Sequence, residues 1–190
     1  MSRFFWVRHG PTHVKSMVGW SDLPADLSDS ARIARLSAHL PGGALVISSD
    51  LVRARATADA IAGPRTRLRD DRDLREIHFG AWELQAFDTI ADQTGLRAFW
   101  EQPGDTRPPG GESWHEVTAR VSRAVDRLCQ AHPGRDIVVV AHMGAILTQV
   151  QAALGITAYE VFAQKIDNLS VTELHRNATG WHARGLNYLP

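Results

Sequence analysis

Three apolar runs in this 190-residue chain stop at residues able to handle an anion or a proton. Phe4-Phe5-Trp6-Val7 ends at Arg8-His9, Ala44-Leu45-Val46-Ile47 leads through Ser48-Ser49-Asp50 to Arg53, and Ile137-Val138-Val139-Val140-Ala141 ends at His142. A neutral imidazole is a competent nucleophile near neutral pH, because its unperturbed pKa is about 6.5. Guanidinium groups donate forked, charge-assisted hydrogen bonds to phosphate oxygens. An attacking His9, the cations Arg8 and Arg53 and a second imidazole at His142 therefore meet the demands of phosphoryl transfer without a metal ion. Gly144, at the start of the helix expected after His142, adds backbone N–H groups and a positive dipole end for the same anion. Any one of these residues alone reads as a surface side chain opening a loop. Three strand ends together point to a shared site.

The elements that must position them alternate in type. Phe4–Val7 is a short buried strand, and Ser28 caps a helix over about 29–40 with Ile33, Leu36 and Leu40 on one side. Pro41-Gly42-Gly43 stops that helix before the second strand, Ala44–Ile47; Ser48-Ser49-Asp50 then caps an Ala-rich helix to about Ala62. Thr66–Leu68 reads as a third strand, and Phe87–Gln93 and Leu96–Glu101 as short helices before a loop over Gln102–Gly111. Ser113 and Glu116 have capping-box spacing and open a helix to about Ala131, with Val117, Val121, Val125 and Leu128 on its apolar face. The strongest strand is Asp136–Ala141, a helix follows over 144–154, and Leu169–Leu174 and Trp181–Arg184 close the sheet. This order predicts a single domain over residues 1–190, a three-layer α/β/α sandwich with a mainly parallel central sheet. Ligands in such sheets bind at the carboxyl ends of the strands, where the three polar clusters fall.

Bulk composition narrows the partners. Lys plus Arg and Asp plus Glu are both 21, so the formal net charge is zero, which disfavours a nucleic-acid or anionic-membrane binder. The single cysteine, Cys129, permits no intrachain disulfide and no cysteine zinc cluster, and its helical apolar setting reads as core packing. His13 lies four residues after His9, but Gly10-Pro11 disfavours the helix a metal pair would need. The apolar run 137–147 is too short to span a membrane, and the N-terminus lacks a signal-peptide core. A cytoplasmic protein, acting on a small phosphorylated substrate without cofactor or metal and able to form a homodimer, is the expectation.

The residues also carry a resemblance. Arg8-His9-Gly10 directly after the first strand resembles the signature of the histidine phosphatase superfamily, the phosphoglycerate mutase-like fold. Residues 48–58, beginning Ser48-Ser49-Asp50 and containing Arg53, are similar to that family's second-strand motif. Leu74–Glu83 is similar to its acid-bearing loop, Gly110-Gly111-Glu112-Ser113 to its helix-opening segment, and Val139–Gly144 to the segment with its second histidine. The resemblance implies that His9 forms a phosphohistidine, that Arg8, Arg53 and His142 bind the phosphoryl group, and that Glu76 is the general acid and base. Glu83, seven residues on, is the rival acid, expected instead to make a structural hydrogen bond.

Pro11 stands where the family continues with Glu, and Lys15 about where it has Asn, so Thr12 and Lys15 are candidates for further phosphate contact. Met143 replaces a common Gly. His78, Trp20 and Trp82 fall in loops expected near the pocket, while Asn168 belongs to a structural segment. The implied activity is phosphomonoester hydrolysis. Alternatives are phosphoglycerate mutase-type transfer, α-ribazole phosphatase as a particular substrate case, and a noncatalytic module that binds phosphorylated metabolites.

Overall fold

A computed structural model describes residues 1–190. Its centre is a six-stranded sheet in the order β3-β2-β4-β1-β5-β6. The strands are β1 (Ser2–Arg8), β2 (Leu45–Ser48), β3 (Thr66–Arg67), β4 (Asp136–Ala141), β5 (Val171–Asn177) and β6 (Gly180–Tyr188). The first four run parallel, and β5 and β6 join one side antiparallel. Register at the carboxyl end matters most: Arg8 lies beside Ala141 and Ser48 beside Val140. The residues that follow β1, β2 and β4 are therefore delivered to one edge of the sheet.

Strand side chains alternate between faces, so each apolar run feeds two cores. Phe4, Trp6, Ile137, Val139 and Leu174 pack in one core, beneath α3 (Gln93–Glu101), α4 (Trp114–Ala131) and α5 (Met143–Leu154). Phe5, Val7, Val46, Val138, Val140 and Val171 pack in the other, beneath α1 (Ser30–His39) and α2 (Val52–Ala62). Burial of each such aliphatic or aromatic side chain contributes about 1.5–3 kcal/mol. The three layers and the mainly parallel sheet match the expected class.

Local chemistry explains most element ends. The Ser113–Glu116 capping box is present at the start of α4. Gly155 stops α5 with a left-handed backbone at φ 64°. Other ends differ from expectation. Asp29, not Ser28, caps α1 by accepting from the Arg32 amide. Ser48, Ser49 and Asp50 do not cap α2, because their side chains go to Asp70, His142 and Arg75; Asp22 accepts from the Val52 amide instead, at 2.6 Å. Residues 87–89 form a turn instead of a helix, and α3 begins only at Gln93, where Asp92 accepts from the Gly95 amide. Leu169 has φ 60°, which interrupts the extended run and delays β5 to Val171. A short helix not anticipated from the sequence, α6 (Ala158–Val161), carries its own capping box from Thr157 and Glu160.

Candidate active site

His9 is buried where β1 ends, and two contacts settle its tautomer. Its Nδ1 lies 2.6 Å from the Gly10 carbonyl, which can only accept, so Nδ1 carries the proton. The Arg53 Nε–H donates to Nε2 at 3.3 Å, so Nε2 presents its lone pair. Burial, then the Arg53 and Arg8 cations, push the imidazole pKa from 6.5 down to about 3, against the opposing bond to Gly10. Surrounding backbone bonds fix the ring: the His9 amide donates to Ala141 of β4, Asn168 donates to the His9 carbonyl, and the Gly10 amide donates to Thr57. Gly10 is closely surrounded, since a Cβ would lie 2.6 Å from the end of the Leu27 side chain and 3.0 Å from the Asp26 carbonyl.

Arg53 projects from the first turn of α2 and is fully buried. Its Nη1 and Nη2 donate to the carbonyls of Ser21 and Gly19, at 2.8 and 2.6 Å, which aims Nε at His9. Arg8 donates from Nη1 to the Ile166 carbonyl at 2.6 Å, and its buried Nε has no protein partner. Burial pulls the pKa of both guanidinium groups below the ordinary arginine value, partly countered by the charge of Glu76. His142 is fully buried at the end of β4, with its ring centroid 4.9 Å from that of His9. Its Nε2 meets the Ser49 hydroxyl at 2.6 Å, while Nδ1 has no partner. Burial, followed by His9 and Arg53, holds its pKa well below 6.5. Each of these two orphaned nitrogens belongs to a residue beside His9, and unpaired buried polar atoms are costly in a folded protein.

Glu76 is buried and faces the same cavity. Its carboxylate accepts from its neighbour's amide at Ile77 (2.9 Å) and from Gly144 (3.1 Å). The Gly144 N–H, expected to be free for an anion, is thus directed at Glu76. Gly144 also admits no side chain, because a Cβ would lie 2.3 Å from the Glu76 Oε1. Glu83 is placed differently. It accepts from the amides of Gly19, Trp20, Ser21 and Phe79 and from the Ser21 hydroxyl. Burial raises its pKa, but the donations from Ser21, Trp20, Gly19 and Phe79 outweigh that and leave it below its ordinary value. Glu83 staples two loops and does not line the cavity.

The cavity encloses about 190 Å³ and is lined by Arg8, His9, Thr12, Arg53 and Glu76, together with a largely apolar rim. Thr12 lines it; Lys15 is exposed and does not. His13 is exposed and bonds Asp26 at 2.8 Å, apart from His9. His78 packs its ring against Trp20 outside the cavity. Trp82 is core, and Cys129 packs against that core.

Several supporting contacts were not foreseen from the sequence. Ser49 positions His142, and the Trp20 indole donates to the Glu76 carbonyl at 2.8 Å. Arg120, on the buried face of α4, donates to the carbonyls of Asp73, Arg75 and Glu76 and pairs with Glu112 at 2.7 Å. Its sequence signal is an arginine within the stripe Val117, Val121, Ala124, where a charge requires buried partners.

Residues 4–189 match the model of the histidine phosphatase superfamily, branch 1. The chain belongs to this superfamily. Among curated relatives it is 31% identical over 193 residues to "Bifunctional protein Rv2228c" of Mycobacterium tuberculosis, with 92% of this chain and 50% of that protein covered. It therefore spans about half the length of that relative. It is 29% identical to "Probable phosphoglycerate mutase GpmB" of Serratia proteamaculans, covering 97% of this chain and 90% of the relative.

Among solved structures, the histidine phosphatase chain is similar to Bacillus stearothermophilus YhfR, with TM-score 0.90, 26% identity and coverage of 100% and 98%. It is also similar to the mycobacterial glucosyl-3-phosphoglycerate phosphatase Rv2419c, with TM-score 0.84, 30% identity and 98% coverage of both chains. The six-stranded α/β architecture is that of the superfamily, whose neighbours here include phosphatases. No helix is long and apolar enough to cross a membrane.

Proposed function

We propose that this histidine phosphatase domain hydrolyses phosphomonoesters in two steps through a phosphohistidine on His9. The observation that carries the reading is the polarised His9 ring: Nδ1–H is tied to the Gly10 carbonyl while Nε2 presents its lone pair toward Arg53, in a cavity shared with Glu76. The incoming phosphoryl group takes over the Arg53 Nε–H and gains a donor from Arg8 Nε; His142, which lies beside the His9 ring but does not itself line the cavity, adds its unpartnered Nδ1 from behind that wall. Thr12, which also lines the cavity, supplies a hydroxyl. These charge-assisted bonds offset the dianion, the task a metal performs elsewhere.

In the first step His9 Nε2 bonds to phosphorus, the ester P–O bond breaks, and the leaving oxygen takes a proton from Glu76. In the second, Glu76 as carboxylate removes a proton from water, the water oxygen bonds to phosphorus, and the P–N bond breaks. Orthophosphate and neutral His9 result, and Glu76 is protonated again. The Gly144 and Ile77 amides orient the carboxyl group for both transfers. Gly144 thus serves the acid, a different role from the direct phosphate contact expected of it.

Mutase-type return of the phosphoryl group to a substrate oxygen is the second reading, favoured by the similarity to the GpmB relative. Phosphate release from 4-nitrophenyl phosphate tests the proposal. Turnover should survive exhaustive chelation and fall by at least ~1,000-fold in His9→Asn, since a lost nucleophile removes the covalent route. Activity that vanishes with the chelator and returns with a divalent ion would reject it.

A further inference from the structure

Beyond the phosphoryl-binding group, the cavity changes character. Its remaining lining is Val14, Met17, Val18, Phe79, Phe87, Trp100 and Met143, with only the Thr12 and Ser16 hydroxyls among them. No cation lines it except Arg8 and Arg53, whose charge faces the phosphoryl position. Phe87 is 52% exposed and Val14 43% exposed, although both belong to the cavity wall. Large apolar side chains left open around a polar centre mark a surface that a ligand covers. Phe87 and Trp100 stand with ring centroids 6.0 Å apart, and Phe79 lies 6.3 Å from Trp100, so one wall is an aromatic cluster.

A second anionic group on the substrate would meet only the Thr12 and Ser16 hydroxyls on this wall, and no cation. Desolvating an unpaired carboxylate is strongly unfavourable, whereas a methylene placed there gains binding energy. We infer that this site selects monoesters whose alcohol part is small, uncharged and apolar, an alkyl chain or a single aromatic ring, and rejects phosphorylated hydroxy acids. The inference rests on the phosphatase reading for its chemistry but concerns the wall alone. The volume of about 190 Å³ lies below the usual ~300–1,000 Å³ of ligand cavities, which favours a small alcohol part.

Two esters with similar leaving groups isolate the effect: n-hexyl phosphate and 5-carboxypentyl phosphate, which differ only in a terminal methyl or carboxylate. The hexyl ester should have a kcat/KM at least ~10-fold higher, the scale on which apolar pockets discriminate. Phe87→Lys should shift that ratio toward the carboxylate ester, and exposed Phe87 can change without disturbing the core. Equal values for the two esters, or preference for the carboxylate, would overturn the inference while leaving the phosphatase reading intact. Turnover of 4-nitrophenyl phosphate alone would also overturn the inference, whereas absence of turnover with both esters and with 4-nitrophenyl phosphate would instead overturn the phosphatase reading. Binding then decides the wall's selectivity: calorimetry with hexylphosphonate and 5-carboxypentylphosphonate should show tighter binding of the former, and equal affinities would refute it.

Discussion

At the scale of single residues, the two glutamates of the acid-bearing loop illustrate how environment divides labour. Glu83 receives five donors, and a carboxyl group saturated by donors is held as a structural anion. Glu76 receives two backbone N–H groups and faces the cavity. An alkoxide needs a proton as it leaves, while a nitrophenolate leaves with little help. Glu76→Gln should therefore slow an alkyl phosphate by ~100-fold or more and a nitrophenyl ester much less. Glu83→Gln should affect both esters alike, through loosening of the Gly19–Ser21 loop. Comparing the two variants on both esters checks this; leaving-group dependence confined to Glu83→Gln would transfer the acid role to Glu83.

The elements show why some of this was readable and some was not. His9, Arg8, Arg53 and His142 were legible because they interrupt or follow apolar runs, and parallel register brings such ends together. Ser49 and Trp20 were not legible as partners of His142 and Glu76, because those contacts join segments 93 and 56 residues apart. Outside α3, the segment 70–112 is held largely by side-chain bonds to backbone, which leave no periodic pattern. Arg120 is its anchor, with a side chain 7% exposed against Glu112 at 18%. Removing one partner of a buried pair costs about 3–5 kcal/mol. Arg120→Met should lower stability on that scale in denaturant titration. It should also slow alkyl phosphates more than nitrophenyl phosphate, because Glu76 loses the anchor of its own carbonyl. Uniform slowing of both esters would limit Arg120 to a structural role.

For the whole molecule, burying two neutral histidines beside two arginines links stability to pH. His9 and His142 have folded-state pKa values below the ordinary 6.5, so the unfolded chain binds protons that the folded one refuses. Stability is fully present above 6.5 and is lost as pH falls, for His9 until about 3, by up to about 1.4 kcal/mol per pH unit for a single histidine. Carboxylates such as Asp50, held below 3.8 by the Arg75 hydrogen bond, add their losses at lower pH, so the window from 6.5 to 5 reports the histidines. Ligand-free protein should lose stability across that window, and His9→Asn should flatten the slope. A slope unchanged in that variant would show that His9 is not held neutral by the fold.

The same arrangement that keeps His9 neutral makes it the expected site of covalent chemistry, and one measurement addresses that directly. Rapid acid-free quenching during turnover of a ³²P-labelled monoester, followed by peptide mapping, should place label on His9, stable to base and labile to acid. The label should be absent from His9→Asn and should accumulate in Glu76→Gln when the leaving group is nitrophenolate, because water then lacks its base. Label that persists in His9→Asn, or turnover by the wild type with no trapped phosphohistidine in either protein, would contradict the proposed mechanism.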